Sequence, residues 1–239
     1  MFDRAICFVR IKTIQRKHKK CALLKMSQKI KKILKKRRFF VVGAVLLLGT
    51  LILGVNTLAA EWRARVPFLS QGDSRWRYNR MHGCDGSTIG GYGCALVSAT
   101  MVFNYFRANT DPNAVNTCLS QFGDYTCPFM WGPAARHCSN ERALFMGFRE
   151  FSYSTLERIL LAGRPPIIRL SRTNGTTHFV VVTSVSGDGN GPDDFTINDP
   201  CAISRTPEVD GVIRELRIED YINNGWTPDG IREFSRSPR

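Results

Sequence analysis

The part of the chain after residue 66 begins with segments that predict helices, and the clearest of them is a run of apolar residues without charge or glycine. Residues 95–106 (ALVSATMVFNYF) contain no Gly, Pro or charged residue, which is typical of a buried helix. After it, Asp111 and Pro112 form a typical helix start, with an N-cap candidate followed by a first-turn proline. We therefore predict a second helix that ends near Leu119.

A third helix is predicted over residues 154–162 (STLERILLA). Ser154 is its expected N-cap, and Glu157 follows three residues later, as in a capping box. Gly163 then favours the end of the helix, because glycine readily adopts the left-handed conformation found beyond a last helical turn.

In the second half the pattern changes to short runs rich in branched residues, which predict strands. The hairpin turn is expected at Asp188 and Gly189. Helices followed by antiparallel strands indicate an α+β fold. The predicted strands are residues 166–170 (PIIRL), 178–185 (HFVVVTSV), 195–198 (FTIN) and 212–216 (VIREL).

A different segment precedes this domain. Phe39 to Val55 is a run of 17 residues without a charge, just long enough to span a bilayer as a helix, and a basic cluster lies before it. By the positive-inside bias, the N-terminal end stays cytoplasmic and the remainder is exported. Residues 39–60 are therefore either a retained membrane anchor or a cleaved signal, for which Ala59 and Ala60 are suitable small residues and Met26 an alternative start.

The net charge of +14 comes entirely from the N-terminus. Residues 1–38 contain 15 Lys and Arg against one acid, Asp3, so the remainder of the chain is neutral. We interpret residues 1–38 as a basic cytoplasmic tail, residues 61–65 as a short linker and residues 66–239 as one domain. Since that domain carries no net positive field, nucleic-acid binding is not expected. The domain is membrane-anchored or secreted, and its oligomeric state stays open.

Cys94 is the candidate nucleophile. Gly90, Gly91 and Gly93 precede it and the apolar helix follows, so its thiol lies at a helix N-terminus. The partial positive charge there favours a thiolate, and the glycines would let a substrate backbone approach closely. Six cysteines lie in the exported part, so a free Cys94 leaves at least one other unpaired. A disulfide is expected among Cys118, Cys127 and Cys138, but spacing does not fix the pairing.

His178 and Asp199 are the candidate base and orienting acid. A two-residue turn at Asp188 and Gly189 would bring His178 opposite Asp199 across the hairpin. Directly opposed side chains lie on one face of a sheet, so the carboxylate would bind one imidazole nitrogen and leave the other for the thiol. A longer loop would shift this register, and Asn198 is then the alternative orienting group.

The order Cys, His, Asp resembles that of the papain-like cysteine peptidases. More closely, the chain resembles the family 39 cysteine peptidases, the bacteriocin-leader peptidases, in a stand-alone form without a transporter. Five segments carry this resemblance: VPFLSQGDSRW at 66–76, TIGGYGCALVSATMV at 88–102, LLAGRPPIIRL at 160–170, THFVVVTSV at 177–185 and INDP at 197–200. The cysteines at 118, 127, 138 and 201 depart from the family pattern.

The resemblance implies a papain-like fold and a peptidase that acts on a peptide or protein substrate. Cys94 would be the nucleophile, His178 the base and Asp199 the orienting acid. Gln71 would donate a hydrogen bond to the oxyanion together with the backbone N–H of Cys94. Trp76 would be a packing residue. No cofactor is expected.

Three other interpretations stay open at this level. The same triad could cleave or transfer other acyl groups, as in a cell-wall amidase or transpeptidase. The domain could also be an inactive binding module that keeps the fold. A zinc site at Cys118, Cys127, His137 and Cys138 is disfavoured, because their spacings lack the close pairs typical of zinc ligands.

Overall fold

A computed structural model of the chain describes residues 61–209 and 212–238. The predicted basic tail, residues 1–38, and the predicted anchor or signal segment, residues 39–60, lie outside the described residues. Within the described ranges, no helix combines the length and the apolar character that crossing a membrane requires.

The helices precede most of the sheet, as the sequence predicts. In the described part of the chain they are α1 (Ile89–Tyr92), α2 (Cys94–Tyr105), α3 (Pro112–Gln121), α4 (Trp131–Cys138), α5 (Tyr153–Leu161) and α6 (Ile218–Asn223), with a 3₁₀ turn at Pro192–Asp194.

Nine short strands lie in the described ranges. They are β1 (Trp62–Arg63), β2 (Ala143–Arg149), β3 (Ile167–Ser171), β4 (Thr177–Val185), β5 (Phe195–Asn198), β6 (Glu208–Val209), β7 (Val212–Ile213), β8 (Leu216–Arg217) and β9 (Thr227–Arg236).

Seven of these strands form one antiparallel sheet in the order β2-β9-β3-β4-β5-β8, with β1 paired to β4. Strands β6 and β7 form a separate two-stranded ribbon. The α+β class predicted from the sequence is therefore confirmed. The predicted strand at 212–216 is divided in the structure, because Val212–Ile213 pairs in the ribbon whereas Leu216–Arg217 joins the main sheet.

The sheet has an apolar layer on each face, because side chains alternate along β4. Val181 packs with the cluster that contains the α2 residues, and Val180 and Val182 pack with the cluster around α5. Residues 95–103 of α2 are all buried, which explains why this helix carries no charge. The hydroxyl of Ser98 donates to the backbone carbonyl of Phe179 at 3.1 Å and so ties α2 to β4.

Two local predictions are wrong. The side chain of Ser152, not that of Ser154, caps α5 by accepting a hydrogen bond from the backbone N–H of Thr155. Residues 61–65 are not a linker, because Trp62 and Arg63 pair with β4 and Ala64 is buried. The remaining caps agree with the prediction: Asp111 caps α3, and Gly163 follows α5 with a positive φ.

Candidate active site

A cleft of about 820 Å³ lies between the start of α2 and the beginning of β4. Cys94, His178, Asp199 and Gln71, the four site residues predicted from the sequence, all line it. They come from positions that span more than 120 residues of the chain, so only the packing of α2 against the sheet brings them together. Their catalytic roles remain predictions.

Cys94 is the first residue of α2. The backbone N–H groups of a first helical turn have no partner within the helix, so the thiol lies beside donors and the positive end of the helix dipole. Two of the preceding glycines serve packing of the chain itself: a Cβ atom at Gly93 would lie 2.3 Å from the carbonyl oxygen of Ile89, and one at Gly90 would lie 2.8 Å from that of Arg77.

Gly91 is the glycine that fits the sequence interpretation. It lines the cleft, and a Cβ atom there would meet only the hydroxyl of Thr88, at 3.6 Å. Gly91 therefore leaves open space in the cleft, whereas Gly93 lets α2 follow α1 without a clash and Gly90 lets α1 pack against Arg77.

His178 and Asp199 form the predicted contact. Nε2 of His178 lies 2.7 Å from Oδ1 of Asp199, and both side chains are buried. Because Nε2 is bound to the carboxylate, Nδ1 is the ring nitrogen left for a thiol. Cys94 lines the same cleft, and its side chain contributes to the raised pKa of His178.

The register that led to this contact was nevertheless predicted wrongly. A two-residue turn would place Val181 opposite Thr196, but Val181 pairs with Asn198. The 3₁₀ turn at Pro192–Asp194 lengthens the loop, and the pairing shifts again between Val182 and Ser184. The partner of Val181 is thus shifted by two residues, from Thr196 to Asn198. Because side chains alternate between the faces of a strand, an even shift leaves each residue on its predicted face of the sheet. Asp199 reaches His178 from just beyond the end of β5.

Asn198 does not orient the histidine. Its side-chain nitrogen lies 3.4 Å from the backbone carbonyl of Val66, to which it donates. The alternative assignment of Asn198 as the orienting group is therefore wrong, and Asp199 occupies that position.

Tyr221 and Trp226 complete the surroundings of His178, and sequence reasoning missed both as site residues. The hydroxyl of Tyr221 donates to Oδ2 of Asp199, and its ring stacks on His178 with centroids 5.8 Å apart. Trp226 lies 5.9 Å from the same imidazole. Tyr221 lies in the short helix α6, which the strand and helix patterns did not predict, so no local feature pointed to it.

The electrostatics of the pair favour the charged form of both partners. Burial raises the pKa of Asp199, but the hydrogen bond and charge of His178, followed by the Tyr221 and Cys201 donors, outweigh it and lower this pKa overall. Burial lowers the pKa of His178, yet the hydrogen bonds to Asp199, Cys201 and Cys94 raise it overall. Tyr221 stays protonated, because burial and the charge of Asp199 raise its pKa.

A second free thiol belongs to this site. Cys201 is exposed, and its Sγ atom lies 4.0 Å from Nδ1 of His178. Its backbone N–H donates to Oδ1 of Asp199 at 2.8 Å. The sequence predicts that at least one of the cysteines after residue 60, besides Cys94, is unpaired, and Cys201 is such a residue. The described residues His178, Asp199 and Cys201 place one ligand atom each within 4.8 Å of one another, a set that could hold a soft cation such as Zn²⁺.

Gln71 also lines the cleft. Its side-chain nitrogen donates one hydrogen bond, to the carbonyl of Gly90 at 2.9 Å. The second N–H of the amide remains available as a donor. Its backbone N–H donates to the carbonyl of Pro200 at 2.7 Å, so the loop that carries Gln71 is fixed to the turn after Asp199. The indole N–H of buried Trp76 donates to the Ser70 carbonyl, which confirms its structural role.

The other histidines and cysteines of the described chain lie outside the catalytic group. His82 stacks on Tyr125, and His137 stacks on Phe122. The disulfides are Cys84–Cys127 and Cys118–Cys138. The expected bridge among the clustered cysteines is confirmed, and three of the four suggested zinc ligands are already bonded to sulfur.

A thiol on the first turn of a buried helix, facing an imidazole and a carboxylate from an antiparallel sheet, defines the papain-like cysteine peptidase fold. A family model described as the Peptidase_C39 like family matches residues 64–227. The match covers more than half of the chain, and the chain belongs to this family. The resemblance stated from the sequence is thereby confirmed. A comparison with curated proteins finds no significant match.

Proposed function

We propose that this protein is a cysteine peptidase that hydrolyses peptide bonds through a thioester with Cys94. The observation that carries the proposal is the position of Cys94, which begins α2 and lines one cleft with His178, whose Nε2 atom is bound to Asp199 at 2.7 Å. Catalytic groups need protonation states matched to their task, and the raised pKa of His178 supports an imidazolium that can stabilise a thiolate and then donate a proton.

In the proposed first half-reaction, the Cys94 thiolate attacks the carbonyl carbon of the scissile bond, and the carbonyl electron pair moves to the oxygen. When the C–N bond breaks, His178 gives its proton to the leaving amine and Cys94 is left as a thioester. In the second half-reaction, His178 takes a proton from water. The resulting hydroxide attacks the thioester, and the thiolate leaves.

Asp199 acts on the orientation and charge of His178 in this mechanism. Its carboxylate binds Nε2 at 2.7 Å, which directs Nδ1 toward the thiol, and its negative charge stabilises the imidazolium. Tyr221 and the backbone N–H of Cys201 hold the carboxylate in turn.

Gln71 is the proposed oxyanion donor, together with the backbone N–H of Cys94. Both residues line the cleft, and the loop of Gln71 is fixed by its hydrogen bonds to Gly90 and Pro200. Loss of one such donor costs about 2.7–4 kcal/mol in other enzymes, so Gln71→Ala should lower kcat by about 10²–10³.

The two disulfides support an oxidising compartment for the domain, since disulfides are rare in proteins of the reducing cytosol. With the apolar segment at residues 39–60, this favours an extracytoplasmic location, either membrane-anchored or secreted.

Alkylation of the full-length chain with iodoacetamide at pH 6, followed by peptide mapping, tests the proposal. An activated thiolate reacts under these conditions, whereas ordinary thiols, which ionise near pH 8.5, react slowly. Cys94 should be modified first, and His178→Ala should reduce its rate to that of a simple thiol. Loss of peptide hydrolysis on alkylation completes the test. A Cys94 that reacts no faster than a simple thiol contradicts the proposal.

A further inference from the structure

The cleft contains a buried cation whose role the triad does not explain. Arg232 in β9 lines the cleft and is only 8% exposed. Among the described residues, no hydrogen bond or ion pair reaches its guanidinium, and its Nε is buried without a partner. Buried charges in proteins are normally paired, because removing a charge from water is costly. An unpaired arginine in a cleft therefore indicates a partner that comes with a ligand.

Aromatic rings surround this guanidinium. Its central carbon lies 5.0 Å from the ring centroid of Phe179, 5.1 Å from that of Phe148 and 5.6 Å from that of Trp131. Cation–π contacts offset part of the desolvation cost and hold the group in place. They leave its N–H donors without acceptors, so they do not replace a carboxylate.

The local charges also favour an anion here. Arg169 lines the same cleft and forms an ion pair with Asp229, so this acid is already paired with another arginine. Burial lowers the pKa of Arg232 to about 10, with the charge of Arg169 acting in the same direction and that of Asp229 opposing them. Arg232 is still charged at neutral pH, and an arriving anion would relieve the excess positive charge.

Arg232 and the proposed catalytic histidine line the same cleft. Phe179, which contacts Arg232, follows His178 directly in β4. In the sheet, Arg232 pairs with Ile167 of β3, and Arg169 pairs with Phe179 of β4, so strand pairing fixes the positions of both arginines. A substrate held at Cys94 therefore has the Arg232 guanidinium within reach along the same cleft.

We propose that Arg232 forms a subsite for a carboxylate of the substrate, so that the enzyme selects peptides carrying an Asp or Glu side chain or a free C-terminal carboxylate beside the scissile bond. This inference rests on the proposed peptidase function. The planar guanidinium can bind both carboxylate oxygens at once, and the aromatic walls exclude water, which strengthens the ion pair. Arg232 would then determine specificity, while the triad performs the chemistry.

Binding to an inactive protein tests the subsite separately from catalysis. Full-length protein with Cys94→Ala is immobilised and exposed to three pools of acetylated hexapeptides, in which the other positions are random but exclude Asp and Glu. One pool has a fixed Glu and an amidated C-terminus, one has Gln in place of Glu, and one has Gln with a free C-terminal carboxylate. At least one carboxylate pool should be retained about tenfold more than the Gln amide pool, and comparison of the two carboxylate pools identifies the source. Equal retention of all three pools overturns the subsite.

Variants in the same background then assign the effect to Arg232. Arg232→Met keeps the length of the side chain and should remove the carboxylate preference while leaving the retention of the Gln amide pool unchanged. Arg75→Met is the matched control, because it also removes one positive charge but lies outside the cleft, paired with Asp73. A folded Arg232→Met protein that keeps the preference overturns the proposal.

Arg232→Lys covers the case in which Arg232→Met does not fold. Lysine keeps the charge but binds a carboxylate through one point, so the preference should fall several-fold; an unchanged preference overturns the proposal. A carboxylate preference in the binding assay combined with no peptide hydrolysis by the wild-type protein would contradict the peptidase function alone. Hydrolysis without any carboxylate preference would contradict the subsite alone.

Discussion

The Sγ atom of Cys201 lies 4.0 Å from Nδ1 of His178, the ring nitrogen that faces away from Asp199. Cys94 lines the same cleft, and its side chain contributes to the raised pKa of that imidazole. Two free thiols therefore lie in the surroundings of one imidazole, although their settings differ. Cys94 begins a buried helix, whereas Cys201 lies exposed in the turn after Asp199. The helix dipole and the proposed oxyanion donors support the proposal that Cys94 is the nucleophile.

Replacing each thiol by a hydroxyl separates these two roles. Cys94→Ser should abolish peptide hydrolysis, with a loss of kcat/KM on the order of 10⁴-fold or more, as for other nucleophile replacements. Cys201→Ser should keep kcat/KM within about threefold, because it is the backbone N–H of residue 201 that holds Asp199. Steady-state hydrolysis of one peptide by both variants gives the answer. A large loss of activity in Cys201→Ser with activity kept in Cys94→Ser would identify Cys201 as the nucleophile, and equal losses would contradict the separation of roles.

Tyr221 should act as a positioning residue through Asp199. Tyr221→Phe removes the donor to Oδ2 of the carboxylate but keeps the ring that stacks on His178. A hydrogen bond to a charged group contributes about 1.5–3 kcal/mol, so kcat/KM should fall about tenfold. The upper limb of the pH profile should also move, because the charge and position of Asp199 act on His178.

Tyr105→Phe is the control for this substitution. Its hydroxyl also donates a hydrogen bond, but to the carbonyl of Gly163, outside the cleft. It should leave kcat/KM and the pH profile unchanged. Equal pH profiles for the wild-type, Tyr105→Phe and Tyr221→Phe proteins would show that Tyr221 has a structural role only.

The pH dependence of stability should have a defined window. Because folding raises the pKa of His178, this residue stabilises the folded state fully at pH values below its ordinary pKa of about 6.5. The stabilisation is lost as pH rises through the folded-state pKa. Because folding lowers the pKa of Asp199, this residue stabilises the folded state fully above about pH 3.9. The stabilisation is lost as pH falls through the folded-state pKa. The pair should therefore stabilise the fold most between about pH 4 and 6.5.

The variant Asp199→Asn tests this window. Thermal unfolding of the wild-type and variant proteins from pH 3 to 10 should show the largest difference in Tm inside the window and a decreasing difference on both sides. The upper limb of the activity profile should move to lower pH in the variant, because the carboxylate that raises the pKa of His178 is gone. A difference in Tm that does not change with pH would contradict the ion-pair assignment.

The two disulfides should differ in their effect on function. Replacing both cysteines of either bridge by Ala should lower the free energy of unfolding by about 2–4 kcal/mol. Only the Cys84–Cys127 pair contributes to the cleft, which Cys127 lines, so only its removal should also lower kcat/KM. The Cys118–Cys138 pair links α3 to α4 and is the matched control. Urea unfolding of both double variants measures the loss of stability, and peptide hydrolysis measures the loss of kcat/KM. An equal loss of kcat/KM in the two variants would contradict the predicted difference.

The sequence by itself determined the parts of the site that depend on local chemistry. Residues 95–106, which follow three glycines and Cys94, carry no charge, and charged side chains are rarely buried. This run therefore indicated a buried helix with Cys94 at its start. Branched residues at 178–185 indicated a core strand that begins near His178. The count of six cysteines after residue 60 required a second free thiol besides Cys94, but it did not identify Cys201 as that residue.

The tertiary structure decided which distant residues meet. Strand β9, which contains Pro228 and Gly230, has weak strand propensity and was not predicted, yet it lies between β2 and β3 inside the sheet. Its position places Arg232 in the cleft. Likewise, the longer loop and shifted register brought Cys201 to His178 and left Asp199 beyond its strand. Such contacts follow from the order of strands and from packing across the core, which residues close in sequence do not specify.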